Sequence, residues 1–266
     1  MKRVVFIRHG LTMGNSKQKY IGSTDEGLCN EGINEALRLR DYYESKAGRF
    51  HYPLGNLFVS PKKRCTETAD IVFTDAPKET VNDLRECDFG LFEGKNYIDL
   101  ADEPLYKKWV EEECMTQIPG GENPKDFIER SVKAFEECMD RTKDKACFVV
   151  HGGTIRAIVS ALSEEKIDFY DVKIPQAKEL VYDYDGRFLK RVRESNGFYQ
   201  NRECRYFPCH ETDDTDNFNC FFCFCPLFHK NDCGGNPLIL ENGVKSCENC
   251  MRPHKADSWE DIIKNL

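Results

Sequence analysis

Two histidines in this chain follow short apolar runs and are flanked by residues suited to anion chemistry: Arg8-His9-Gly10 and His151-Gly152-Gly153. A third junction of the same kind, Ser60-Pro61-Lys62-Lys63-Arg64, adds a guanidinium. Neutral imidazole is a nucleophile or proton carrier near pH 7. Arginine offers a planar fork of donors that matches the oxygens of a phosphate. One histidine after a strand would ordinarily be structural, but two with arginines beside them point to chemistry on a phosphorylated small molecule. Far downstream lies a second group of reactive side chains. Eight of the 14 cysteines fall between Cys204 and Cys250, with three of the six histidines in or just beyond that stretch. In a reducing compartment, thiols so clustered bind metal more readily than they pair as disulfides.

Hydrophobic patterning supplies the elements that must position these groups. Residues 2–7, 56–59 and 147–150 read as short buried strands, and each ends in one of the three junctions. Residues 31–43, 62–73, 124–139 and 154–162 carry helical spacing. Two further strands, 179–184 and 187–192, straddle Asp185-Gly186, a hairpin turn. Strands alternating with helices predict an α/β fold, a three-layer αβα arrangement with a mainly parallel sheet. In such sheets ligands bind at the C-terminal ends of the strands, where the junctions fall. The pattern dissolves after about residue 194. We therefore expect a first domain over 1–194, a linker over 195–203 and a cysteine-rich domain over 204–266.

Arg8-His9-Gly10 with Thr12 and Asn15, Ser60-Pro61 with Arg64 and Thr68-Ala69, Leu84, Glu86, Phe89-Gly90 and Glu93-Gly94, and then His151-Gly152-Gly153 resemble the histidine phosphatase superfamily. The resemblance spans about residues 2–193. It implies that His9 carries the phosphoryl group as phosphohistidine, with Arg8, Arg64 and His151 around its oxygens. It implies that Glu86 is the acid serving the leaving group, and that Asn15, Thr24 and Gly152 bind substrate. Leu11 and Glu35 depart from residues frequent in the family, and residues 95–125 should form a variable cover over the site. That superfamily includes phosphoglycerate mutases, α-ribazole phosphatases and broad-range phosphatases.

The downstream segment holds two knuckle-like pairs, Cys220-x-x-Cys223 and Cys247-x-x-Cys250, in which both thiolates of a pair can reach one ion. Cys204, Cys209, His210, Cys225, His229, Cys233 and His254 are further candidate ligands. Eleven donors exceed the four of one zinc, so there is room for two ions. Some 60 residues build little core, and a structural metal would supply folding energy. Mixed Cys/His ligation suits zinc, whereas four cysteines would also suit an iron–sulfur cluster. The segment resembles the cysteine-rich small domain family. Its association with cobalamin-synthesis proteins implies α-ribazole 5′-phosphate as the substrate.

Composition bounds the alternatives. A net charge of −8 argues against a nucleic-acid partner held through phosphate contacts. No apolar run approaches the ~20 residues needed to span a membrane, and the N-terminus has no signal-like apolar stretch, so a cytoplasmic setting is expected. A protein partner for the cysteine-rich segment is left open. A metal-dependent scaffold with an idle phosphatase fold is the reading from another class. The complete set Arg8, His9, Arg64, Glu86 and His151 speaks against it.

Overall fold

The computed structural model describes residues 1–50, 55–164, 166–172, 174, 176–192, 199–256 and 258–266. The chain divides into two compact units, Met1–Val192 and Arg193–Leu266.

The first unit is built on a six-stranded sheet in the order β3-β2-β4-β1-β5-β6. Its strands are β1 (Lys2–Arg8), β2 (Asn56–Val59), β3 (Lys78–Thr80), β4 (Lys145–Val150), β5 (Glu179–Tyr184) and β6 (Leu189–Arg191). The first four run parallel, and β5 and β6 add an antiparallel edge. This is the expected αβα fold with a mainly parallel sheet. Alternation along the strands explains the layers, because successive side chains point to opposite faces. From β4, Ala146, Phe148 and Val150 join one core with Phe6, Phe58, Phe135, Ile155 and Ile158. Cys147 and Val149 join the other with Ile7, Leu57, Val59, Ala36 and Cys65. After the short helix α1 (Met13–Ser16), helices α2 (Asn30–Phe50) and α3 (Lys63–Val72) cover one face, and α5 (Pro124–Asp140) and α6 (Gly152–Leu162) cover the other.

Each predicted strand and helix appears, with strands 56–59 and 179–184 at the expected bounds and the others with shifted ends. Helix α6 begins at Gly152, so both glycines lie inside the helix instead of forming a loop. At the β5–β6 turn, Asp185 Oδ1 accepts from the amides of Arg187 and Phe188 at 2.8 and 2.7 Å, and Gly186 takes φ +103°. The edge strand β3 is a new feature. All three of its residues are exposed, so no apolar alternation announces it. The cover holds helix α4 (Pro104–Glu111), with Pro at its first turn and Tyr106 and Trp109 buried. These pack with Phe92, Leu100 and Ile118 against Phe127 and Ala157.

The second unit is mostly irregular. It contains a small hairpin, β7 (Leu238–Ile239) and β8 (Lys245–Ser246), and a final helix α7 (Ser258–Lys264). Among the described residues a small apolar cluster joins Phe222, Leu227 and Ile262, with Cys225, Cys233 and Trp259 against them. Part of the expected linker, residues 195–198, lies outside the described residues. The remainder is tied into the unit: Tyr199 N–H donates to Asn219 Oδ1 at 3.1 Å, and the Gln200 amide donates to the Thr215 and Phe218 carbonyls. Among the described residues, no helix is long and apolar enough to cross a membrane.

Candidate active site

The C-terminal ends of β1, β2 and β4 bring His9, Arg64 and His151 together beneath the cover. His9 is buried, and its Nδ1 lies 2.8 Å from the Gly10 carbonyl. A carbonyl only accepts, so Nδ1 carries the proton and Nε2 keeps its lone pair. The Gly10 amide donates to Thr68 Oγ1 at 3.0 Å, and Thr68 in turn donates to the Arg64 carbonyl. One hydroxyl thereby ties the histidine loop to helix α3. Leu11 N–H donates to Glu35 Oε2 at 2.9 Å, a bond that a glutamine oxygen would accept equally well. The departure at Glu35 thus leaves the loop anchored.

His151 sits 5.2 Å from His9 between ring centroids. Arg64 Nε donates to its Nδ1 at 3.2 Å, which leaves Nε2–H to donate to Ser60 Oγ at 2.7 Å. The Arg64 guanidinium is fully buried and otherwise donates to the Thr24, Ile21 and Gly22 carbonyls. Among the described residues, no carboxylate lies within ion-pair distance of Arg64 or Arg8. Nε of Arg8 and Oδ1 of Asn15 are buried without a hydrogen-bond partner. Each such orphan costs about 1–3 kcal/mol, a cost that a bound ligand removes. Uncompensated cations and open donors define a site for an anion, and an amide flip would present Asn15 Nδ2 to it.

Burial and the neighbouring Arg64 hold the His9 and His151 imidazoles well below the ordinary histidine pKa, with Arg8 adding to the effect on each. Both histidines are therefore neutral near pH 7. Below the unfolded value near 6.5 the unfolded chain binds protons that the folded chain refuses, so stability is present above that pH and is lost as pH falls. Relative to a His9→Asn variant, the wild type should lose about 1.4 kcal/mol per pH unit between pH 6 and 5. Urea midpoints at the two pH values measure it, and equal losses in both proteins would refute the buried neutral imidazole.

Glu86 faces this group from the cover. Its Oε2 accepts from the Gly153 amide at 2.9 Å, in the first turn of α6, and its Oε1 accepts from the Cys87 amide at 3.0 Å. A Cβ on Gly153 would stand 2.2 Å from Glu86 Oε1. Gly153→Ala should therefore displace the carboxylate while the fold survives, because the clash is with a movable side-chain end. We expect kcat to fall about 10²-fold with little change in melting temperature, since a misplaced proton donor costs on that order. Unchanged steady-state kcat would show that the Glu86 position is irrelevant to turnover.

A cavity of about 320 Å³ opens beside these residues, walled by Arg8, Asn15, Glu86, Gly152 and Gly153 at one end. Tyr20, Trp109, Phe169, Tyr170 and Ile174 give it an aromatic and apolar remainder, and Arg156 and Lys19 contribute charge. Thr24 is elsewhere. Its hydroxyl donates to Glu93 Oε2 at 2.8 Å, and only its carbonyl serves the site, by holding Arg64. The physical reason is Glu93, which also accepts from the Gly22, Ser23 and Phe89 amides and so fastens that loop to the cover. Two residues were invisible to motif reading. Arg156 reaches the cavity from α6. Arg130 forms an ion pair with Glu122 at 2.6 Å and donates to the Glu86 carbonyl at 3.1 Å, clamping the acidic loop. Each reads in sequence as an ordinary arginine on an amphipathic helix.

In the second unit, Cys209, His210 and His254 place their ligand atoms within 4.8 Å of one another. His254 Nδ1 lies 2.9 Å from the Asn219 carbonyl and so carries the proton, leaving Nε2 open 4.0 Å from Cys209 Sγ. His210 Nε2 faces the Cys247 carbonyl at 3.4 Å, leaving Nδ1 open 3.3 Å from the same sulfur. Carbonyl partners that fix the tautomer in this way are characteristic of metal-binding histidines, and the donor set is compatible with a structural metal. The Cys209 thiol is within electrostatic range of Cys223, Cys220 and Cys204. His229 is exposed on a turn and outside this group.

A family model for the histidine phosphatase superfamily (branch 1) matches residues 4–195, and the chain belongs to that family. It is an enzyme of the phosphatase kind. A second model, for the cysteine-rich small domain, matches residues 195–266. Among relatives, a 2,3-bisphosphoglycerate-dependent phosphoglycerate mutase of Parabacteroides distasonis is 26% identical over 227 residues, spanning 70% of this chain and 88% of the relative. The broad-specificity phosphatase YOR283W of Saccharomyces cerevisiae is 26% identical over 215 residues, spanning 75% and 84%. The crystal structure of the α-ribazole phosphatase from Shigella flexneri superposes with a TM-score of 0.62 at 21% identity, covering 71% of this chain and 94% of that one. At that identity the likeness is one of fold.

Proposed function

We propose that the chain hydrolyses a phosphomonoester through a phosphohistidine at His9, and that its substrate is α-ribazole 5′-phosphate. The observation that carries the chemistry is the neutral His9, with a free Nε2 lone pair, beside the unpartnered Nε of Arg8 and the buried Arg64 guanidinium. Nε2 attacks phosphorus, the bond to the ester oxygen breaks, and Glu86 delivers a proton to the leaving alkoxide. Arg8, Arg64 and Asn15 hold the phosphoryl oxygens as charge develops, and His151 joins them when its Nε2–H turns from Ser60 Oγ to the phosphoryl group. Water then attacks the phosphohistidine, Glu86 takes its proton, and cleavage of the P–N bond returns His9 and releases phosphate. The Gly10 carbonyl stabilises the cationic intermediate through Nδ1–H.

Support for the ribazole ester comes from the aromatic end of the cavity, from the fold shared with the Shigella flexneri α-ribazole phosphatase and from the appended cysteine-rich domain. A mutase would need cations in the cover to retain a second phosphate. Lys107 and Lys108 are exposed and face Asp102 and Glu112 at 3.6 and 3.9 Å, away from the cavity walls. Hydrolysis is favoured on that ground. A broad-range phosphatase is the second reading, suggested by the yeast relative. We further propose that the cysteine-rich domain binds zinc in a structural role, at Cys209 and His254 with neighbouring thiolates.

Phosphate release from α-ribazole 5′-phosphate, 3-phosphoglycerate and a generic aryl phosphate tests the substrate. Strong preference in kcat/KM for the ribazole ester supports the assignment, and equal slow turnover of all three sinks it in favour of the broad-range reading. In single-turnover phosphorylation of the enzyme, Glu86→Gln should slow alcohol release from alkyl esters about 10³-fold but phenol release from the aryl ester far less, since that leaving group needs no proton. An equal loss on both would remove Glu86 from the proton path.

A further inference from the structure

Helix α6 puts a further cation into the cavity, one turn beyond the phosphoryl end. Gly152, Gly153 and Arg156 all wall the cavity, as residues three and four apart on one helical face can. Gly152 marks the phosphoryl end, because a Cβ there would stand 3.4 Å from Arg8 Nε. Arg156 follows it by four residues, about 6 Å along the helix axis. Its Nε donates to the Val172 carbonyl at 3.3 Å, which fixes the plane of the half-buried guanidinium. Among the described residues, neither terminal nitrogen has a partner and no carboxylate lies within ion-pair distance of them. Arg156 therefore stands where the phosphoryl wall on α6 meets the segment that carries Phe169 and Tyr170.

An anchored fork with two free, coplanar donors matches a pair of adjacent oxygen acceptors. A carboxylate and a vicinal diol both offer such a pair, and the rest of the cavity separates them. Tyr20, Phe89, Trp109, Phe169 and Tyr170 enclose a space that a small phosphorylated acid would leave unfilled. A ring-bearing alcohol fills it, and a pentose is the unit that joins a ring to an ester phosphate across the position of Arg156. We propose that Arg156 sets specificity by donating from its two terminal nitrogens to a vicinal diol on the pentose of the leaving alcohol. This rests on the reading of the chain as a phosphomonoesterase working through His9, and it adds the residue that reads the sugar. Lys19 also walls the cavity, but its ammonium is a point charge without paired, coplanar donors.

The test compares kcat/KM within two pairs of esters, each with and without the 2′-hydroxyl. One pair is α-ribazole 5′-phosphate and its 2′-deoxy analogue, and the other is ribose 5-phosphate and 2-deoxyribose 5-phosphate. The wild type should prefer the diol about 10–100-fold in each pair, the effect of one hydrogen bond from a charged donor. In Arg156→Met the ratio should fall to about one. Arg156→Lys keeps the charge and the stem without the fork, and it should retain no more than a few-fold preference. An arginine with only a structural role would lower both members of a pair together and leave the ratio intact in the variants, which would overturn the proposal. A wild-type ratio near unity would overturn it too. Arg156-dependent preference for phosphoserine over phosphoethanolamine, without discrimination between the riboses, would reassign the fork to a carboxylate and end the diol contact. The second ribose pair carries no base, so loss of the ribazole preference with an intact diol ratio would sink only the substrate proposed above. No His9-dependent turnover of any ester would remove the phosphatase reading and the diol contact with it.

Discussion

His9→Ala is expected to lower kcat by about 10⁵-fold on every phosphomonoester the enzyme turns over, because removing a nucleophile abolishes the covalent route. The residual rate would come from the cations and the cavity, which still bind and polarise the ester. Binding should survive the change. Arg8 Nε and Asn15 Oδ1 remain orphaned, and Arg64 remains a buried cation held by carbonyls, so the anion site is still there. KM, or inhibition by inorganic phosphate, should move only a few fold. The neutral imidazole makes a further demand. Acid-stable labels should be absent, and a rapid acid-labile phosphoryl adduct should appear in wild type and vanish in the variant. Retention of wild-type turnover in His9→Ala would end the phosphohistidine reading, while loss of phosphate binding together with turnover would mean that the variant had collapsed the site.

How far this arrangement was legible in the sequence depends on the interaction concerned. His9 and His151 stood out because apolar runs ended at them, and the sheet does place β1 beside β4 with Arg8 opposite Val150. Arg64 stood out by its position after Ser60-Pro61. The partners of these groups were hidden, because hydrogen bonds between distant residues leave no spacing. Thr68 reaches Gly10 across 58 residues, and Arg130 reaches the Glu86 carbonyl across 44. Thr24 shows the converse failure. A threonine in a loop after the motif suggested a pocket wall, but a carboxylate 69 residues away claims its hydroxyl. Gly153 shows in the sequence only as the end of the junction after β4, whereas its bare Cα makes room for Glu86. In the second unit the cysteine spacing announced metal ligands but could not sort them, because turns within Cys-x-x-Cys say nothing of which distant thiols join each pair.

Metal removal is expected to unfold the cysteine-rich unit and to spare turnover of a small aryl phosphate. Structural zinc contributes about 10–16 kcal/mol to the folding of small modules, comparable to the whole stability of an ordinary domain. Here the described apolar cluster joins Phe222, Leu227 and Ile262, with Trp259 stacked on Phe222 at 5.4 Å and edge-on to Phe221 at 4.5 Å. Those ring contacts make Trp259 a reporter. The chain's other tryptophan, Trp109, is buried in the cover, so a Trp109→Phe background isolates the signal. Chelator with reductant should shift Trp259 emission to the red and restore it when zinc is added back. The first unit keeps two cores on either face of its sheet, neither containing a candidate metal ligand of the second unit. Its catalytic rate on an aryl ester should therefore stay within about two-fold, as a scaffold with its own core predicts. Emission unmoved by chelation would show that the unit folds without metal, and a rate that falls in step with the emission would show that the first unit depends on the second.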